Sequence, residues 1–161
     1  MTDWAAIVRA HGPTAYETAW RILGNVADTE DAVQDALLDA LRLHRRRTVN
    51  NWGALLRHLA SCRALDLLRK RRKVIPLVDE PPAPRSSQPD ALAIATEKAA
   101  LLRQALARLS QREAEVFLLY YFGDLTNPQI ADALGIAVGA VAVALHKART
   151  RIKAMLQSCK E

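Results

Sequence analysis

The chain has 161 residues, half of them apolar and a quarter charged, with a net charge of +6. That composition excludes global disorder and allows a packed core, in one compact domain or two small ones. No apolar run reaches the ~18 residues of a membrane span, and Asp3 and Arg9 interrupt any signal-peptide core. A cytoplasmic protein without membrane insertion is expected.

Leu, Ala and Arg dominate and aromatics are few, which favours helix over sheet. The first helix is expected in "DWAAIVRA". A second, "PTAYETAWRILG", has Pro13 near its start and Gly24 as its stop. "DTEDAVQDALLDALRLHRR" follows, with Asp28 as N-cap, Glu30 and Asp31 in the first turn and basic residues at the far end. "RRRTVNN" is a loop, and "WGALLRHLASCRALDLLRKRRK" is a further amphipathic helix. The stretch "VIPLVDEPPAPRSSQPD" holds five of the seven prolines and reads as an extended, partly stiff linker.

Beyond it, one helix is expected from about Ala91 to Leu109, and Ser110 caps the next, which Gly123 ends. "TNPQIADALG" offers a capping box, with Thr126 as N-cap and Gln129 three residues on. Gly135 stops that helix. In the last one, Val138, Val141, Leu145, Ala148, Ile152 and Met155 form a buried stripe. Two helices around a short Gly turn are the outline of a helix-turn-helix, and equally of a plain helical hairpin. The fold class is all-α: two small helical domains, residues 1–73 and 92–161, joined by a Pro-rich linker over 74–91.

Three constellations stand out. Asp28, Asp31, Asp35 and Asp39 are spaced 3, 4 and 4 along one helix face, beside Gln34 and Leu38. By itself the stripe is a solvated face or a docking face for a basic or amide-rich partner. Arg45, Arg46 and Arg47 precede a polar loop with Thr48, Asn50 and Asn51; an exposed Trp52, then Arg57, Arg63 and Arg69, follow it. Cations beside amides and an aromatic ring suit a strand whose bases leave the stack. His146, Lys147, Arg149, Arg151 and Lys153 crowd the last helix, where they can hold phosphate. Cys62 and Cys159 lie outside any CxxC spacing, and the histidines show no ligand spacing. No metal, disulfide, cofactor or catalytic group is therefore expected.

Taken in order, "DTEDAVQDALLDAL", "LRHLASCRALDLLRKRRK", the Pro-rich segment and "LSQREAEVFLLYYFGDLTNPQIADALGIAVGAVAVALHKARTRIKAML" resemble bacterial sigma factors, most closely the extracytoplasmic-function (ECF) group of the sigma-70 family. The resemblance spans nearly the whole chain. It implies a promoter-recognition subunit, not an enzyme by itself, with core RNA polymerase and promoter DNA as partners and an anti-sigma factor as a candidate third. Asp28, Asp31, Gln34 and Asp35 match the family's polymerase-docking motif. Arg45 to Asn51, with Trp52, Arg57, Arg63 and Arg69, match the part that captures the −10 element. Ala140, Val143, Ala144, His146, Lys147, Arg149 and Arg151 fall where the −35 element is met.

The chain also departs from the family pattern. Leu55-Leu56 stands where "WL" is usual, and Cys62 where Asn is usual. Ala137, Ala140, Ala142, Val143 and Ala144 replace the typical Ser, Thr, Lys, Ser and Arg of the reading helix. Alanine and valine can meet thymine methyls but lack the polar readout, worth about 1–3 kcal/mol for each bidentate pair. Two rival readings follow. One is a stand-alone helix-turn-helix regulator. The other is a sigma-like interaction protein with weakened −35 reading.

Overall fold

The computed structural model describes residues 2–74 and 90–159, with the side chains of 73, 74 and 90–95 left aside. Most of the Pro-rich segment expected as a linker lies outside the described residues. Seven helices are described: α1 (Trp4–Leu23), α2 (Val26–His44), α3 (Trp52–Val74), α4 (Asp90–Arg108), α5 (Gln111–Tyr121), α6 (Asn127–Leu134) and α7 (Val138–Ser158).

The first three pack against one another. Ala15, Ala19, Ala32, Ala36, Ala40, Ala60 and Ala64 are buried at their crossings, where the absence of bulk lets the backbones approach. Ile22, Leu56 and Leu65 fill the space that remains. The second group centres on α7, which packs on α4, α5 and α6. Its stripe Val141, Leu145, Ala148 and Ile152 is buried against Leu118, Leu119 and Ile130. α3 also packs on α4, α5 and α6, so it is the wall shared by both groups.

Several expectations need correction. The two stretches around Pro13 form one helix, not two. Proline removes only one donor, and packing of α1 along α3 favours continuity more than the break costs. Asn25, not Asp28, is the N-cap of α2: its side chain accepts from the Asp28 amide at 2.9 Å. Val138 is not in the buried stripe; it is 48 % exposed at the tip of α7. The expected stops and caps hold elsewhere. Gly24 and Gly135 adopt positive φ of 73° and 68°. Ser110 caps α5, and Thr126 with Gln129 forms a complete capping box on α6.

Candidate functional site

Asn25 starts α2 so that its 3- and 4-residue repeats sort into two faces. Ala32, Ala36 and Ala40 face the core, and Asp31, Gln34, Asp35 and Leu38 face solvent. The ends of the acidic stripe are engaged. Asp28 is paired with Arg71 of α3, and Asp39 with Arg63 of α3 at 2.7 Å. The part of the stripe left exposed is therefore its middle, Asp31, Gln34 and Asp35, with the apolar Leu38 52 % exposed beside it.

The loop between α2 and α3 holds Arg45, Arg46, Arg47, Thr48 and Asn50 exposed. Asn51 ends it by accepting from the Ala54 amide at 3.0 Å, which fixes where α3 begins. Trp52 corrects an expectation. It is half-buried, edge-on to Trp4 at 5.7 Å and to His44 at 5.3 Å, so it braces the loop from within. Arg63 and Arg69 are both engaged within the closed chain. Arg63 is held by Asp39, and Arg69 donates to Gln111 Oε1 at 2.5 Å and to the Leu109 carbonyl at 3.0 Å. Arg57 is half-buried, with its Nε unpartnered. Of the cations expected at the −10 element, those left exposed are Arg45, Arg46 and Arg47 of the loop. A groove of about 140 Å³ separates that loop from Asp132 and Ala133 of α6.

α6 and α7 meet at 106° around Gly135, Ile136 and Ala137. That lies within the helix-turn-helix range, not the near-antiparallel range of a hairpin. The outer face of α7 presents Gly139, Ala140, Ala142, Val143, His146 and Lys147. Ala144 is corrected: it is 7 % exposed and faces the core, so it can read nothing. Arg149 donates to the Tyr121 hydroxyl at 2.6 Å and lies 5.4 Å from the Tyr120 and Tyr121 ring centres. Arg151 pairs with the buried Glu113 at 3.0 Å. Lys147 and Lys153 remain as exposed cations on this helix, with the His146 ring exposed beside them.

The two groups are tied by polar contacts across α3 and α1. Arg103 of α4 donates Nε–H to the Ile22 carbonyl at 2.7 Å, placing a cation at the C-terminus of α1. Arg21 reaches Asp124 at 2.9 Å. On α3, His58 and Cys62 both approach Glu115 Oε1 of α5, each at 3.5 Å. Burial and the Glu115 carboxylate push the Cys62 thiol up. Burial works to raise the Glu115 carboxyl, yet hydrogen bonds from His58 and Gln111, the His58 charge and the Cys62 contact bring it down to about 2. Sequence reasoning missed this cluster. Its one signal was the four-residue step from His58 to Cys62, which puts both on one helix face.

Two family models match the chain: sigma-70 region 2 over residues 7–74 and sigma-70 region 4 over residues 99–152. The chain belongs to the sigma-70 family. Among its relatives, the ECF RNA polymerase sigma factor SigL of Mycobacterium tuberculosis is 33% identical, over 95% of this chain and 90% of SigL. The ECF RNA polymerase sigma factor SigW of Bacillus subtilis is 25% identical, over 96% of this chain and 89% of SigW. The fold is shared with CnrH, solved in complex with the cytosolic domain of CnrY. The TM-score is 0.60 at 22% identity, covering 96% of this chain and 88% of CnrH. It is shared also with Bartonella quintana RpoE, solved with the anti-sigma factor NepR. Here the TM-score is 0.56 at 22% identity, covering 98% of each chain. This sigma factor is therefore of the ECF group, a transcription initiation factor. No single described helix is long and apolar enough to cross a membrane.

Proposed function

We propose that this sigma factor divides its work among three surfaces and carries no chemistry of its own. Asp31, Gln34 and Asp35 dock on core polymerase, with Asp28 setting the start of that surface. Arg45, Arg46, Arg47, Thr48 and Asn50 hold the opened −10 strand, and the outer face of α7 lies along the −35 element. The observation that carries this reading is the separation of roles on α2: the stripe's ends serve the fold while its middle stays exposed. An anti-sigma protein is a candidate third partner.

The two DNA elements lie about 25 base pairs apart, or about 85 Å at ~3.4 Å per base pair. A globule of this length is about 40 Å across. The packing of α3 on α4, α5 and α6 must open before both elements are engaged together, so the closed arrangement belongs to the sigma factor off DNA.

The apolar outer face of α7 favours weakened −35 reading. Ala140, Ala142 and Val143 offer methyl contacts and no donors, while His146 and Lys147 hold backbone. Reconstitution with core polymerase on a promoter library varied at both elements tests the whole scheme. Initiation should depend on this chain and fall more steeply with −10 changes than with −35 changes. Equal loss at both sites, or no initiation on any member, would overturn it.

A further inference from the structure

We propose that His58, Cys62 and Glu115 form a site for a zinc-type divalent cation that fastens the first domain to the second. His58 and Cys62 sit one turn apart on α3, so their side chains leave the same face. α5 covers that face and supplies Glu115. His58 Nε2 and Cys62 Sγ each lie 3.5 Å from Glu115 Oε1, and the three ligand atoms are all within 4.8 Å of one another. A tetrahedral Zn²⁺ with bonds of about 2.0–2.3 Å separates its ligand atoms by about 3.3–3.6 Å. Two of the three donor separations thus match the edges of a zinc tetrahedron.

The donor set selects the metal. One thiolate, one imidazole and one carboxylate suit Zn²⁺ and disfavour Ca²⁺ or Mg²⁺, which take oxygen. On binding, the Cys62 thiol gives its proton to solvent. The thiolate and the Glu115 carboxylate then balance the two charges of the ion. The fourth corner falls to water from a groove of about 350 Å³ lined by Leu43, Arg47, His58, Arg112 and Glu115 among others. Glu115 also accepts from Gln111 at 3.1 Å and lies 3.7 Å from Arg112, so the ion would share the carboxylate with these neighbours. Cys62 occupies a position where the family pattern has an amide.

The consequence is regulatory. His58 and Cys62 belong to the region 2 match and Glu115 to the region 4 match. A cation bound by all three holds the closed arrangement, so zinc should oppose the opening that simultaneous −10 and −35 contact requires. The binding itself does not depend on how the promoter is read.

The test uses the full chain, reduced and stripped of metal, titrated with Zn²⁺ against a chromophoric chelator and with Co²⁺ as a spectroscopic stand-in. The unmutated chain should bind one equivalent, and its Co²⁺ form should show tetrahedral bands with a thiolate charge-transfer band. C62S and E115Q should each weaken Zn²⁺ at least tenfold, and C159S should leave it unchanged. An octahedral Co²⁺ spectrum, absence of stoichiometric binding, or full affinity in C62S would overturn the site. Full affinity in E115Q would overturn the link between domains. The Co²⁺ spectrum needs no variant, so it decides the matter even where a substitution harms folding.

Discussion

The Arg63 guanidinium grips the Asp39 carboxylate with two parallel bonds, Nε to Oδ2 at 2.7 Å and Nη2 to Oδ1 at 2.8 Å. This pairing joins two residues that the sequence pattern sets beside functional surfaces. The last carboxylate of the α2 stripe and the second arginine of α3 are bonded to each other.

The two halves of the stripe should therefore respond differently. Reversing charge at Asp31 and Asp35 should weaken co-purification with core polymerase by an order of magnitude or more, with the urea unfolding midpoint unchanged. Asp39→Ala should do the opposite. It breaks a bidentate pair that is partly solvent-screened, costing about 1 kcal/mol in urea unfolding and leaving polymerase binding near its original level. Matched losses of polymerase binding in both variants would contradict this division.

The arginines around the −10 loop separate in the same way. Arg46→Ala and Arg47→Ala should each lower the salt dependence of single-strand binding by about 0.7 in the slope of log K against log salt, as expected when one phosphate is no longer neutralised. Arg63→Ala should leave that slope alone and lower stability. Filter-binding or fluorescence titrations across a salt series measure both. An unchanged slope in the loop variants would move the strand elsewhere.

Gly24 is the hinge between α1 and α2, and two demands meet there. Its φ of 73° suits glycine, and a Cβ at this position would run into the Arg103 guanidinium that reaches the end of α1. Gly24→Ala should cost about 1–2 kcal/mol through left-handed strain alone. It should also displace Arg103 and loosen α4. Thermal unfolding reads the first effect, and amide exchange at α4 reads the second. Wild-type stability in this variant would show that the backbone relaxes freely.

The N-terminus of α7 lacks a cap. Ala137 has the extended geometry of an N-cap residue, φ −70° and ψ 148°, but no side-chain bond to the first turn. Ala137→Ser should stabilise the chain by about 0.5–1 kcal/mol, the usual worth of such a cap. A higher unfolding midpoint in urea with unchanged slope is the expected result, and no gain would mean that solvent already serves those amides.

Much of the fold was legible because its signals are local. Ser110, Thr126, Gln129, Gly24 and Gly135 act within a turn of where they stand, so their roles could be read from neighbours in the sequence. Pro13 was misleading for the complementary reason. A local breaker was outweighed by packing against α3, which no short window contains.

The stripe of aspartates, the cationic loop and the family pattern were set by the order of residues alone, since helical spacing fixes which side chains share a face. Which of those groups remain available was decided by tertiary structure. Arg63, Arg69 and Arg151 look alike in sequence to Arg46 and Lys147, but each meets an acceptor far away in the chain. Ala144 differs from Ala140 only by its angle around α7, which turns it into the core. Cys62 shows the limit most clearly. Its spacing from His58 was written in the sequence, while Glu115 stands 53 residues away and joins them only because α5 packs across α3.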